Sequence, residues 1–346
     1  MAREQLVDVD GRKIAVTNLD KVMYPATGTT KGDVIRYYSE IAPHLIPYAA
    51  GRPITRKRWV DGVGTADRPG QVFFQKNLEE SAPDWVQRRV IHHADHDNTY
   101  PVLDAVSGHA TLVWLAQLAA LELHVPQWRF TSDGTPGNPD RLVLDLDPGD
   151  GAGLPECVEV AMLLKAILDD MGLASVPVTS GSKGIHIYAA LDGRHTSEEI
   201  SELAHELARS LEADHPDLVV STIRKADRRG KVLVDWSQNS AAKTTVAPYS
   251  LRGREHPTVA MPRTWREITS GRLRQIEMHE VRAILKRRGD AAAPIMPKGA
   301  DRLARYREMR DASRTPEPVP DTVGDRSGSG ERAAFVIQEH HARRLH

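Results

Sequence analysis

Hydrophobic and polar residues follow two distinct periods along this chain. Alternation at residues 13–16 and strand-like segments at 54–59 and 71–75 predict strands, because successive strand side chains point to opposite faces. Apolar residues at helical spacing predict four helices, over residues 31–45, 110–121, 154–171 and 197–213. Two further apolar blocks, at 141–148 and 231–236, predict buried strands. The order of these elements predicts a mixed α/β (α+β) fold.

The composition changes near residue 290 and divides the chain into three parts. Residues 1–290 carry all of the patterned segments and predict one folded domain, which at this length can bury a large core. Residues 291–334 are rich in Ala, Pro, Arg and Gly and predict an extended linker or tail. Residues 335–346 form a last short segment with its own apolar and basic residues.

Composition, charge and cysteine content indicate a globular protein and exclude several other classes. A hydrophobic content of 40% and a charged content of 27% are typical of a globular protein. No apolar run approaches membrane-spanning length, so we expect no membrane partner and a cytoplasmic location. The single cysteine, Cys157, excludes an intramolecular disulfide and a cysteine zinc site, and we expect no zinc. The net charge of −1 means that any nucleic acid would be bound by local basic clusters, such as residues 56–58, 87–89 and 224–231.

Two aspartates separated by one residue are the strongest chemical signal in the sequence. Asp145 and Asp147 lie in the predicted strand at 141–148, so both carboxylates point to one face of a sheet. Two like charges this close repel each other unless a cation lies between them, and oxygen ligands suit Mg²⁺ and Mn²⁺. Asp235 is a third acid in a similar strand. The spacing alone also fits a surface turn, but three strand carboxylates can hold a pair of metal ions for phosphoryl transfer.

The segment between these acids has the composition of a phosphate-binding turn. Gly181 and Gly184 allow close approach of a ligand, Ser180 and Lys183 can donate to phosphate oxygens, and His186 follows on a predicted strand. The segment has neither the Walker spacing nor GxGxxG, so a polar turn before an ordinary strand stays an alternative. Beside three acids, a triphosphate cradle is the better interpretation. Further polar donors follow at Gln238, Asn239, Lys243 and Arg252.

These residues stand in motifs that resemble a known family. Three segments are similar to the motifs of the archaeo-eukaryotic primase superfamily, and most of all to the polymerase domain of bacterial ligase D: Leu144-Asp-Leu-Asp-Pro148, Ser180-Gly-Ser-Lys-Gly-Ile-His186 and Val234-Asp-Trp-Ser-Gln-Asn239. Residues 19–31, 56–59, 121–129 and 247–252 resemble the same domain. The resemblance covers roughly residues 10–290 and implies the ligase D polymerase-domain fold, with the acids on central strands. Because the chain carries no ligase segment, it resembles the stand-alone mycobacterial Prim-PolC type.

The resemblance implies template-dependent transfer of nucleotides to a primer 3′-hydroxyl. Asp145, Asp147 and Asp235 would hold two divalent cations, Mn²⁺ or Mg²⁺, and would be the catalytic residues. The residues expected to bind the incoming NTP or dNTP are Lys57, His124, Ser180, Lys183, His186, Lys243 and Arg252. His124, at the end of a predicted apolar helix, would lie near the sugar. The family implies that ribonucleotides are used at least as well as deoxyribonucleotides.

A second group of residues resembles the DNA contacts of the family. Lys21 and Lys31 would bind the 5′-phosphate on the downstream side of a gap; otherwise they are ordinary exposed lysines beside a helix start. Phe73 and Phe74, placed in a loop, would stack on template bases. On a strand, one of the two would instead fill the core. Arg228 is a candidate contact to the template or primer.

Several biological roles stay open. Short-gap repair on gapped or primer-template DNA, with a separate ligase, is expected first; end joining with Ku and a separate ligase is an alternative, in which residues 92–99 would meet a second break. A metal-dependent phosphoesterase or nuclease would use similar acids. A nucleic-acid-binding module with an inactive site would lack one of the three acids. Residues 335–346 resemble the first strand of the ligase D phosphoesterase domain and are expected to have no activity. We expect a monomer.

Overall fold

The structure, a computed structural model, describes residues 4–295. The predicted segment 335–346 and the linker residues from 296 onward lie outside this part of the chain. Within residues 4–295 the α-helices are α1 (Lys31–Ala49), α2 (Gly108–Gln117), α3 (Leu154–Asp170), α4 (Ser197–Asp214), α5 (Trp265–Ile268) and α6 (Met278–Arg288). Three of the four predicted helices are confirmed as α1, α3 and α4. None of the helices in this part of the chain is long and apolar enough to cross a membrane.

The same part of the chain contains twenty β-strands, most of them short. They are β1 (Gln5–Val9), β2 (Arg12–Val16), β3 (Val22–Tyr24), β4 (Thr29–Thr30), β5 (Thr55–Arg58), β6 (Phe73–Gln75), β7 (Arg88–His92), β8 (Asp97–Pro101), β9 (Ala120–Val125), β10 (Trp128–Phe130), β11 (Pro136–Pro139), β12 (Arg141–Pro148), β13 (Ser175–Thr179), β14 (Ile185–Ala190), β15 (Val219–Val220), β16 (Val232–Asp235), β17 (Thr245–Val246), β18 (Thr258–Val259), β19 (Met261–Pro262) and β20 (Ile276–Glu277). Short 3₁₀ helices span Lys225–Arg228, Trp236–Asn239 and Ala293–Ile295. All predicted strands have a counterpart here.

A six-stranded sheet, in the order β15-β16-β12-β14-β13-β19, forms the centre of the second half of the chain. β12 pairs antiparallel with β14 on one side and with β16 on the other. Leu142, Leu144 and Leu146 of β12 are buried in one hydrophobic core with residues of α3 and α4. Val143 is buried in a different core. Because side chains alternate along a strand, the odd-numbered positions of β12 face away from α3 and α4.

A four-stranded sheet, in the order β17-β9-β5-β6, belongs to the other core. That core combines residues of α1, α2 and β9 with residues of the six-stranded sheet, among them Val143 and Tyr188. The Tyr188 hydroxyl donates to Val246 O on β17 at 3.3 Å. The odd-numbered face of β12 therefore lies against the first half of the molecule. Ala292 and Ile295, which fall in the predicted linker, are also buried in this core.

The helix predicted over residues 110–121 is wrong at its C-terminal end. α2 ends at Gln117, Ala119 adopts a positive φ of 58°, and β9 begins at Ala120. The left-handed backbone at Ala119 turns the chain, which a continuous apolar pattern does not reveal. His124 consequently lies on a strand of the four-stranded sheet and not at a helix end.

Candidate functional site

The three predicted acids lie on one face of the six-stranded sheet. Asp145 on β12 is directly opposite Asp235 on β16, and Asp147 follows two residues further along β12. Burial, followed by the charges of Asp235 and Asp147, raises the pKa of Asp145 to about 7. A carboxylate whose ionised form is disfavoured by two others gains from a nearby cation. Carboxylate oxygens are also the kind of donor that a hard divalent cation such as Mg²⁺ or Mn²⁺ prefers.

Two of the acids contact basic side chains of the protein. His186 on β14 pairs with Asp145 in the sheet register, and its Nε2 atom lies 3.4 Å from Asp145 Oδ1. Arg228 Nη1 lies 3.4 Å from Asp147 Oδ2. Arg228, predicted as a contact to DNA, is thus placed directly beside one of the acids.

The third acid is held by the 3₁₀ helix that follows it. Asp235 Oδ1 accepts from Ser237 N at 3.0 Å and from Ser237 Oγ at 2.5 Å, and Gln238 Nε2 donates to Oδ2 at 2.9 Å. Lys243 donates in turn to Ser237 Oγ. The three carboxylates are engaged by separate partners, and in residues 4–295 no three His, Cys, Asp or Glu side chains are arranged to hold a metal ion.

The predicted phosphate-binding segment is a tight turn between β13 and β14. Ser180 Oγ accepts from the backbone N–H of Gly184 at 3.2 Å and so closes the turn. A Cβ atom at Gly184 would lie 1.8 Å from Leu146 O, so only glycine allows the turn to approach β12 this closely. Gly181 has a φ of 68°, in the left-handed region that favours glycine. Ser180, Lys183 and the two glycines are therefore held against the strand that carries Asp145 and Asp147.

Arg252 links this turn to the four-stranded sheet. Its Nη1 atom donates to Ser180 O at 2.7 Å. Burial, followed by the positive charges of Arg252 and His124, lowers the pKa of His186 to about 3. His186 is therefore neutral, and its Nδ1 atom is buried without a hydrogen-bond partner among the described residues. A neutral, buried imidazole next to an arginine provides a fixed hydrogen-bonding position beside the acids.

A buried carboxylate that the sequence analysis missed connects the remaining residues that were predicted to bind the nucleotide. Glu122 on β9 is 2% exposed, and its oxygens contact His124 Nε2 at 2.7 Å, Arg252 Nε at 3.3 Å and Lys57 Nζ at 3.4 Å. Burial raises the pKa of Glu122, but the hydrogen bond from His124 and the nearby positive charges outweigh it and hold that pKa well below its usual range. On a strand, residues two apart point to the same face, so the spacing of Glu122 and His124 could have indicated their contact. The sequence analysis missed it because it predicted a helix up to residue 121.

Lys21 and Lys31 lie together at the start of α1. The side chain of Thr30 caps the helix by accepting from Asp33 N at 3.2 Å, and Asp33 Oδ2 accepts from Thr30 N at 3.0 Å. Lys31 N donates to Lys21 O at 2.8 Å. Burial, followed by the charges of Lys21 and Arg58, lowers the pKa of Lys31 to about 8. Lys31 is thus not an ordinary exposed lysine. Lys21 Nζ lies 2.6 Å from Asp61 Oδ1, so in this structure its charge is paired with an exposed carboxylate.

Phe73 and Phe74 lie on β6 at the edge of the four-stranded sheet, not in a loop. Their exposed fractions are 40% and 56%, so neither fills the core, and the alternative of one buried ring is wrong. In the strand register they are opposite Arg58 and Lys57, respectively. Two exposed aromatic rings beside basic residues form a surface suited to stacking on bases.

Comparison with known proteins agrees with this geometry. The family described as "LigD, primase-polymerase domain" matches residues 30–292. The multifunctional non-homologous end joining protein LigD of Mycobacterium bovis is 51% identical over 346 residues, which cover 97% of this chain and 44% of that protein. The corresponding protein of Mycolicibacterium smegmatis is 50% identical, over 96% of this chain and 42% of its own length. The polymerase domain of Mycobacterium tuberculosis ligase D in complex with DNA superimposes with a TM-score of 0.77 and 49% identity, covering 82% of this chain and 97% of the other.

The fold and the site define a nucleotidyltransferase of the primase-polymerase class, with acids on the central strands of an α/β sheet. The chain belongs to the family of LigD primase-polymerase domains, whose curated members act in DNA repair by end joining. It spans less than half the length of the LigD proteins that it matches.

Proposed function

We propose that this chain is a template-dependent polymerase that fills short gaps in DNA, prefers ribonucleotides and acts in repair. The observation that carries the proposal is the arrangement of three acids on one sheet face beside a glycine turn and a cluster of basic side chains. Asp145, Asp147 and Asp235 would hold two divalent cations, Mn²⁺ or Mg²⁺. Such cations lower the pKa of a primer 3′-hydroxyl and stabilise the leaving pyrophosphate.

The side chains around the acids bind and orient the nucleotide. Ser180 and Lys183 face the triphosphate from the turn, and Arg252 faces it from beside the turn, since charged donors form strong hydrogen bonds to phosphate oxygens. His186 keeps its neutral ring between the turn and Asp145. Further contacts come from Lys57 and Lys243 to the phosphates and from His124 to the sugar. Arg228, which lies 3.4 Å from Asp147, would contact the template or primer beside the acids.

The DNA lies across the face that carries the exposed aromatic pair. Lys21 and Lys31 bind the 5′-phosphate on the far side of the gap, and Phe73 and Phe74 stack on template bases. The enzyme acts as a monomer on gapped or primer-template DNA, and a separate ligase seals the product. The names of the curated relatives favour a second setting, in which the same chemistry joins broken ends. Ku and a separate ligase would then be the partners.

Substitution of the acids tests the proposed reaction. Asp145→Ala and Asp147→Ala should each reduce primer extension roughly 1000-fold or more, because metal-assisted charge stabilisation contributes several kcal/mol. Asp150→Ala is the matched control, because it removes an exposed acid just beyond β12 and should leave extension unchanged. Extension is measured with Mn²⁺ and with Mg²⁺ on a primer-template. Near-normal extension by either site variant would exclude the assignment, and shortening of the primer would indicate a nuclease.

A further inference from the structure

Glu122 contacts residues assigned to the sugar and residues assigned to the triphosphate. In addition to the contacts with His124, Lys57 and Arg252, its Oε1 atom accepts from Gly253 N at 2.9 Å. Each oxygen therefore has two partners. Two hydrogen bonds, from His124 and Gly253 N, and two cationic side chains within 3.4 Å fix this buried anion in one orientation.

The contact with Glu122 determines which nitrogen of His124 carries hydrogen. An ionised carboxylate can only accept a hydrogen bond, so His124 Nε2, at 2.7 Å from Glu122 Oε2, must be the donor. Burial of His124 lowers the pKa of its ring, against the raising effect of Glu122, so the ring is neutral. In a neutral imidazole with hydrogen on Nε2, the other nitrogen, Nδ1, is an acceptor.

We propose that Glu122 is a positioning residue that sets the preference for ribonucleotides by holding His124 with Nδ1 as the acceptor for the 2′-hydroxyl of the incoming sugar. The same carboxylate keeps Lys57 and Arg252 directed to one side of the site. A deoxyribonucleotide leaves Nδ1 without a donor, and an unpaired buried acceptor lowers affinity on the order of tenfold or more. This inference rests on the proposed polymerase function and explains its choice of sugar.

Two variants separate this role from a purely structural one. Glu122→Gln keeps the size of the side chain, but its amide can also donate, so His124 is no longer restricted to one tautomer. Glu122→Asp keeps the charge. The matched control is Glu79→Gln, because Glu79 accepts from Arg56 at 2.7 Å and Arg58 at 2.8 Å on neighbouring β5, without contacting His124.

The ring nitrogens of His124 provide a readout that does not depend on activity. Long-range ¹⁵N–¹H spectra of the imidazole, assigned with His124→Gln, should show hydrogen on Nε2 in the wild type and in Glu79→Gln. In Glu122→Gln they should show a mixture of tautomers. A wild-type ring with hydrogen on Nδ1 would overturn the inference, whether or not the variants fold.

The kinetic readout is single-nucleotide incorporation of ATP against dATP opposite thymine. The ratio of kcat/KM values should fall roughly tenfold in Glu122→Gln, mainly through a higher KM for ATP, and should be partly restored in Glu122→Asp. Glu79→Gln should keep the wild-type ratio. A folded Glu122→Gln with an unchanged ratio, or a wild type without any preference, would refute the role of Glu122. Failure of the wild type to incorporate either nucleotide would instead refute the proposed function, while the ring spectra still decide the tautomer.

Discussion

Burial determines the pKa values and the charged partners of several key residues in this molecule. The sequence predicts the identity of the acids, and the strand register confirms that Asp145 and Asp235 are neighbours. It does not reveal that Lys31 is buried, since a lysine at a helix start is normally exposed. Nor does it reveal Glu122, whose partners come from three different strands and loops. Identity and spacing are local properties, whereas burial depends on residues that are distant in the chain.

Lys31 provides a prediction about stability and its pH dependence. Its pKa falls from 10.5 to about 8 on folding, so the folded state binds this proton less tightly than the unfolded state. The favourable contribution is present above pH 10.5 and is lost as the pH falls through about 8. Lys31→Met should therefore raise the free energy of unfolding by about 1–3 kcal/mol at pH 7, and by much less above the unfolded pKa. Denaturant titrations at both pH values measure the difference; a Lys31→Met protein less stable than the wild type at pH 7 would contradict it.

Helices and strands were hardest to predict from the sequence where they are short or follow each other directly. β12, α3 and α4 were predicted within a residue or two, because a long buried strand and amphipathic helices have strong periodic patterns. The turn at Ala119 was missed because apolar residues continue through it from α2 into β9. Edge strand β6 was assigned both to a strand and to a loop, since three residues are too few to show a period. The turn at Ala119 and strand β6 depend on contacts with distant parts of the chain, which a local pattern does not show.

Tyrosines from β3 and α1 fix the segment that carries Arg252. Tyr24 Oη donates to Arg252 O at 2.9 Å, and Tyr37 Oη donates to Tyr249 O at 2.8 Å. Tyr249 has a φ of 69°, which is unfavourable for a non-glycine residue and persists only when its surroundings hold it. The position of Arg252 at the proposed nucleotide site therefore depends on hydroxyl groups more than two hundred residues away in the chain.

Tyr24→Phe tests this dependence. Loss of the buried hydroxyl should lower the free energy of unfolding by about 1–3 kcal/mol and raise the KM for the nucleotide more than it changes kcat. Tyr188→Phe is the control, because its hydroxyl donates to Val246 O in the same core and not to a carbonyl of residues 249–252. Steady-state kinetics and denaturation of both variants give the comparison. Equal KM changes in the two variants would show that Tyr24 has no specific effect on Arg252.

At the scale of the whole molecule, local charge matters more than net charge. The formal net charge is −1, yet the charges of Lys21 and Arg58 contribute to lowering the pKa of Lys31. Lys57, the neighbour of Arg58 on β5, lies 3.4 Å from Glu122. Consecutive residues of a strand point to opposite faces, so Lys57 and Arg58 connect two different sites across one strand. The proposed 5′-phosphate site and the proposed nucleotide site are therefore close together, which suits a short gap.

This proximity predicts how extension depends on gap length. A downstream 5′-phosphate should improve binding and extension roughly tenfold at a short gap, because a charge-assisted contact is worth about 1.5–3 kcal/mol. The effect should disappear at a long gap, where one protein cannot reach both ends. In the Lys21→Ala, Lys31→Ala double variant, the phosphate should have no effect at either length, and the dependence of log Kd on log salt should be shallower by roughly two units.

Binding and extension are measured on gapped duplexes with and without the phosphate, and on paired 3′-overhangs. If the 5′-phosphate stimulated extension equally at short and long gaps, the proposed 5′-phosphate site and nucleotide site would not be close together. Stronger extension on the paired 3′-overhangs than on gapped duplexes would favour end joining over gap filling.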